Sequence, residues 1–156
     1  MSFLNDLETE LVQSLPLRDV IAIDPHTIVR AAVAMMRNHG LGCAVIAERG
    51  KPPTGIFTEH SVIEVLVRNV SIDECAVSKY ADSSFVVVKQ TDPILSVWKA
   101  VLDQAARFVC VTDEDGHLVG LTGQRGLAEY LCDCYARQVT VQRLGSTPWM
   151  REREGA

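Results

Sequence analysis

Residues 22–36, AIDPHTIVRAAVAMM, and residues 88–102, VKQTDPILSVWKAVL, read alike. Each leaves a strand-like apolar end, turns at an Asp-Pro pair and enters a helix with one apolar stripe. Ile28, Ala31, Ala32 and Met35 fall on Ile94, Val97, Trp98 and Val101 at a spacing of 66 residues. Their spacings of three and four place each set on one helix face. Thr27 and Asp92 stand as N-caps, with Pro93 at the first helical position. Gly40 is placed to stop the first helix in a left-handed cap.

The same order of elements surrounds both stretches. In the first half, a strand over 20–23 precedes the helix. A buried strand over 43–47, a polar turn over 48–53, a strand over 55–58 and a helix over 59–68 follow it. In the second half, a strand over 85–88 comes before the helix. Then come a strand over 108–112, a hairpin turn with an Asp-Gly signal over 113–117, a return strand over 118–122 and a helix over 124–137. Gly55 falls on Gly120 at a spacing of 65, so one residue is expected to drop out in the hairpin. The expected class is α/β (α+β): two pseudo-symmetric β-α-β-β-α repeats packed sheet to sheet. Neither half is large enough to bury much core alone, so each is expected to cover the other's sheet.

Ahead of the repeats, Leu4, Leu7, Leu11 and Leu15 predict an amphipathic helix that ends at Pro16, with Asn5 and Glu8 as a capping box. It is expected to pack on its own domain or on a dimer partner. The boundaries are then 1–16 for the N-terminal helix, 17–72 and 73–137 for the repeats, and 138–156 for a tail. Trp149 and Met150 in that tail are candidates for docking on the module or on a partner.

Composition narrows the function. With 156 residues, 47% apolar and 22% charged, the chain is that of a folded domain. A net charge of −5 disfavours nucleic acid as the main partner. No apolar run is long enough to cross a bilayer, and the acidic N-terminus lacks the basic start of a signal peptide. Five cysteines make no disulfide framework, so a reducing, cytoplasmic setting is expected. Cys132 and Cys134, two apart on a helix, point to different faces and do not converge on a metal. No Ser or Cys stands in an activating context, and glycine-rich phosphate loops are absent.

The duplicated order resembles a tandem pair of CBS domains, named after cystathionine beta-synthase, which together make a Bateman module. The resemblance spans about residues 17–135. It rests on the turn-plus-helix starts Asp24-Pro25-His26-Thr27-Ile28 and Thr91-Asp92-Pro93-Ile94. It rests also on the strand ends Gly55-Ile56-Phe57-Thr58 and Gly120-Leu121-Thr122-Gly123, and on the linker Val77-Ser78-Lys79-Tyr80. It implies regulation rather than catalysis, with AMP, ADP, ATP or S-adenosylmethionine in clefts between the repeats. It also implies a homodimer and a regulated protein partner yet to be found. The leftover apolar faces expected to serve the dimer are those of the helix bearing Trp98 and the helix bearing Tyr130 and Leu131.

The resemblance places an adenine slot at Ile23, Ala44 and Val45 in the first repeat and at Val88, Val109 and Cys110 in the second. Asp24, Thr27 and Thr91, at the helix starts, complete the candidate set. The family's ribose-binding acid is expected three positions after a Ser or Thr at the strand end. Here Thr58 is followed by His60 and Ser61, and the corresponding second-repeat positions are Gly123 and Gly126, with Arg125 as a phosphate-reaching cation. Thr58, His60 and Ser61 are the expected better site. Thr58 is equally readable as a plain N-cap, Arg125 as a solvated helix residue, and the two glycines as room for close approach or as erosion. The alternative to a nucleotide sensor is a degenerate pair working by protein contact alone.

Overall fold

The computed structural model describes residues 3–145, and residues 135 and 137–145 by backbone only. The tail residues Trp149 and Met150 lie outside the described residues. The elements are α1 (Phe3–Thr9), β1 (Ala22–Ile23), α2 (Val29–His39), β2 (Cys43–Ile46), β3 (Gly55–Thr58), α3 (Glu59–Val67), β4 (Val86–Lys89), α4 (Ile94–Asp103), β5 (Val109–Thr112), β6 (Leu118–Thr122) and α5 (Gln124–Gly145). Single 3-10 turns occupy Val12–Ser14 and Val77–Lys79. The expected β-α-β-β-α repeats are both present. Each folds into a three-stranded sheet, β1-β2-β3 and β4-β5-β6, whose first pair is parallel and second antiparallel.

The strands sort their side chains by alternation. In β2, Ala44 and Ile46 face the helices of the first repeat, in a core with Val29, Ala32, Phe57 and Val65. Cys43 and Val45 face the other sheet, where they join Ile56, Cys110 and Leu121. β5 does the same, with Val109 and Val111 turned to Ile94, Val97 and Leu127. The two repeats are thus packed sheet to sheet, with one apolar layer between them and one on each outer side.

The repeat runs at a single spacing of 65, and the expected loss of a hairpin residue does not occur. Pairs Ala22–Val45 and Ile46–Gly55 recur as Val87–Cys110 and Val111–Gly120. The sequence comparison aligned Ile28 with Ile94 because both are apolar. Ile28 is instead the extended N-cap of α2 and is 39% exposed, while Val29 is the buried counterpart of Ile94.

Helix starts are satisfied by backbone rather than by the expected Thr27 and Asp92 caps. The N-caps are Ile28 and Pro93, and neither makes a side-chain cap. Val29 N–H donates to the Cys75 carbonyl, and Ile94 N–H donates to the Glu10 carbonyl, 65 residues apart on both sides. Asp24 and Asp92 hold turns instead, accepting from the N–H groups of His26 and Lys89.

The N-terminal segment packs against the second repeat. Leu7, Val12 and Leu15 lie in its core. The helix is shorter than the leucine spacing predicts, ending at Thr9, with Leu4 exposed and Asn5 inside it rather than capping it. Phe3 reaches Trp98 edge-on, ring centroids 5.7 Å apart, and so covers a face expected to be free. Tyr130, expected on a second free face, is buried in the core. Burial pushes its phenol well above the usual range, with Cys134 and Glu10 adding to the shift. At the other end α5 continues past residue 137 to Gly145.

Two equivalent turns differ in chemistry. Gly40 caps α2 in the left-handed region at φ 64°, and its counterpart after α4 is Ala105, at φ 51°. A Cβ costs roughly 1–2 kcal/mol in that region. Ala105→Gly is expected to raise stability by about 1 kcal/mol, and Gly40→Ala, which meets nothing within 4 Å, to lower it by a similar amount. Urea unfolding checks both, and equal stability of all three proteins would contradict the assignment.

Candidate functional site

The sheets carry apolar layers on both faces, and open space is left at strand ends, where the repeats meet. Two clefts lie there. The first, of about 450 Å³, is lined by Thr58, His60, Ser61 and Glu64 from the β3–α3 junction. Tyr80 to Asp82 and Ser84 to Val86 form its second side, and Gln104 to Phe108 its third. The second, of about 530 Å³, is lined by Leu121 to Gly126 from the β6–α5 junction, by Arg18 and Asp19, by Gly40 to Cys43, and by Glu59, Arg107 and Phe108. The volumes suit a small ligand.

The structure brings together only part of the expected set. Thr58, His60 and Ser61 share the first cleft, and Arg125 lines the second. Ile23 and Ala44 lie in the first-repeat core, Val88 and Val109 in the second-repeat core, and Val45 and Cys110 between the sheets. None of these six borders a cleft, because covered strand faces point into layers rather than into the gap. Asp24, Thr27 and Thr91 stand at the outer turns, where Thr91 donates to Glu114.

The hydroxyls of the first cleft are already engaged. Thr58 Oγ1 accepts from Ser61 N–H at 3.3 Å, and Ser61 Oγ accepts from Thr58 N–H at 3.2 Å. This reciprocal capping box fixes the start of α3. Among the described residues no histidine or carboxylate is hydrogen-bonded to either hydroxyl. The acids of this cleft are Glu64 and Asp82, against Arg107 as its arginine.

The second cleft is more cationic. Arg18, Arg107 and Arg125 line it, against Asp19 and Glu59. Glu129 accepts from Arg18 at 2.9 Å and from Arg125 at 3.1 Å through the same oxygen, which holds the two guanidinium groups side by side. Arg107 lies 3.5 Å from Glu59 and 5.2 Å over the Phe108 ring. Cys43 also borders the cleft; burial pushes its thiol up to about 11, while Cys110 behind it is pushed up to about 12. Both stay neutral thiols at neutral pH.

Gly123 and Gly126 open the start of α5, and close packing explains both. A Cβ on Gly123 would sit 2.5 Å from the Arg107 carbonyl, and one on Gly126 would sit 2.5 Å from Thr122 Oγ1. The Thr122 hydroxyl is buried with no hydrogen-bond partner in the described residues. Both glycines nonetheless line the cleft, together with Gln124 and Arg125 of the first turn of α5.

Sequence reasoning missed Arg18, Asp19, Arg107 and Phe108. They sit in connecting segments, outside any periodic stripe. The available signal was positional: each lies just before a strand, at the end that meets the other repeat.

The family model described as "CBS domain" matches residues 12–68 and 77–133. The chain belongs to the CBS domain family, and its two repeats form a CBS pair, a Bateman module. It is 26% identical over 113 residues to an uncharacterised protein of Methanopyrus kandleri, a match covering 72% of this chain and 58% of that one. Among solved structures it resembles a CBS domain protein of Pyrobaculum aerophilum complexed with AMP, with a TM-score of 0.68, 20% identity, and coverage of 76% of this chain and 90% of that one. It also resembles the CBS domain pair of protein MJ0100 in complex with 5′-methylthioadenosine and S-adenosyl-L-methionine, with a TM-score of 0.69, 14% identity, and coverage of 80% and 97%. At these identities the likeness is one of fold. Among the described residues no helix is long and apolar enough to cross a membrane.

The glycine packing gives a direct test. Gly123→Ala is expected to cost on the order of 1–3 kcal/mol, as overpacking does, because its methyl meets fixed backbone. Gly42→Ala, whose methyl would find ordinary contacts at 3.5 Å, is expected to be near neutral. Equal costs in thermal unfolding would contradict the assigned packing.

Proposed function

We propose that this CBS pair is a cytoplasmic regulatory module that binds an adenine nucleotide, or a relative such as S-adenosylmethionine, between its repeats. The second cleft takes the ligand first. The observation that carries this reading is that Arg18, Arg107 and Arg125 line one cleft together with the start of α5, where Glu129 holds Arg18 and Arg125 side by side. An anionic end group gains both charge-assisted hydrogen bonds and the helix dipole there. Asp19 accepts no hydrogen bond in the described residues and stands as the acceptor for a ribose hydroxyl, the role that Gly126 cannot fill. The solved CBS pair bound to AMP supports the ligand class.

Regulation rather than catalysis fits the chemistry. The candidate nucleophiles Thr58 and Ser61 are spent on capping, and Cys43 and Cys110 are neutral. A ligand regulates by binding one conformation better than another. A homodimer fits the face of α3, where Ile63, Leu66 and Val67 are all more than half exposed. The same face favours the second reading, a pair that works by protein contact without nucleotide.

Thermal unfolding with AMP, ADP, ATP and S-adenosylmethionine separates the two. A ligand at a hundred times its dissociation constant adds about 2.7 kcal/mol, a midpoint rise of roughly 5–11 °C for a chain of this size. The expected result is a rise with at least one of the four that is largely lost in Arg125→Ala. A flat response to all of them would overturn the nucleotide reading in favour of protein contact. In analytical ultracentrifugation the chain is expected to sediment as a dimer, and Leu66→Glu as a monomer.

A further inference from the structure

Among the described residues, Arg107 and Phe108 are the two that border both clefts. The 65-residue repeat explains how this arises. The counterpart of Arg107 is Gly42 and that of Phe108 is Cys43. Strict pseudo-symmetry would give each cleft its own wall from this segment. Gly42 has no side chain, and a Cβ built on it would lie 3.5 Å from the Glu59 carboxyl and 3.7 Å from the Phe108 ring. The Glu59 and Phe108 side chains, one from each repeat, therefore fill the space beside Gly42. Arg107 stacks on Phe108 and reaches the other repeat, where it pairs with Glu59 at the start of α3.

The guanidinium is weakly held. Its side chain is 70% exposed and that of Glu59 is 60% exposed, and they stand 3.5 Å apart. Such a pair is weak. Arg107 is the one arginine or lysine among the residues lining the first cleft, whereas the second cleft has Arg18 and Arg125 besides. One long cation is thus shared by two clefts, and it cannot pair with a ligand in both together.

We infer that the two clefts compete for Arg107, so that an anionic ligand bound in one lowers the affinity of the other. The coupling rests on the nucleotide reading above and adds a property to it. It is reciprocal by linkage: whichever cleft fills first takes the guanidinium, and the other binds without it. The module then responds to ligand concentration over a wider range than two independent sites would.

ATP titrated into the full, isotope-labelled chain tests the inference, with the amides of Gly123 and Ser84 reporting the second and first clefts. In Arg107→Met the second cleft, which fills first, is expected to lose roughly tenfold or more in affinity, the scale of one charged hydrogen bond. The loss in the first cleft is expected to be smaller, since ATP in the second cleft already holds Arg107 by the time the first fills. Removing the competing cations in Arg18→Ala/Arg125→Ala is expected to empty the second cleft and tighten the first by roughly fivefold or more. Adding Arg107→Met to that protein is expected to undo the gain. Equal losses in both clefts on Arg107→Met, no loss in either, or an unchanged first cleft in the double variant would each overturn the competition while leaving nucleotide binding intact. No response of the wild-type chain at either reporter would overturn the nucleotide reading itself, and the competition with it.

Discussion

Everything in this fold depends on a reciprocal exchange of backbone between the repeats. Arg18, which leads into the first repeat, pairs with Leu121 at the edge of the second repeat's sheet through hydrogen bonds of 2.8 and 3.0 Å. Asp82, which leads into the second repeat, pairs with Ile56 at the edge of the first repeat's sheet at 2.9 and 3.0 Å. Gly55 and Gly120 let these chains approach: a Cβ there would lie 3.4 Å from the Asp82 carbonyl and 3.3 Å from the Arg18 carbonyl. Each sheet edge is covered by the other repeat's entry segment, which removes an unpaired edge and fixes how the sheets face each other. The 3-10 turns repeat the device at the helix starts, with Val12 and Val77 donating to the Asp92 and Thr27 carbonyls.

The clefts follow from that exchange. The entry segments cross from one repeat to the other beside the strand ends, and Arg18–Asp19 and Asp82–Ser84 become cleft walls as a result. The functional chemistry then arises from the departures from symmetry. Where the first repeat has Thr58 and Ser61 in a capping box, the second has Gly123 and Gly126 packed against the Arg107 carbonyl and Thr122. Where the second repeat has Arg107, the first has Gly42. One cleft has its hydroxyls engaged in a helix cap, and the other is lined by three arginines.

Much of this was legible in the sequence. Apolar spacing gave the helices, Gly40 the first helix stop, and the Asp-Gly pair the second hairpin, where Gly116 takes φ 87°. The register was less legible. Matching Ile28 to Ile94 is reasonable on hydropathy and off by one residue in structure, because the cap is made by the Cys75 and Glu10 carbonyls, remote in sequence. The facing of the adenine-slot residues was illegible for a related reason. Ala44 and Val109 read as apolar strand residues whichever face they take, and only the packed pair shows that both faces are covered. Arg107 carried no periodic signal at all: its role depends on the bare Cα of a residue 65 positions earlier.

The exchange of entry segments is most directly tested by native-state hydrogen exchange of the Arg18, Leu121, Ile56 and Asp82 amides. If these four bonds hold the repeats together, all four exchange only on global unfolding, with one common free energy that matches the value from urea denaturation. Faster exchange of Arg18 and Leu121 through a local opening, with the Ile56 and Asp82 amides still protected, would show that the N-terminal segment is an appendage and would contradict the account.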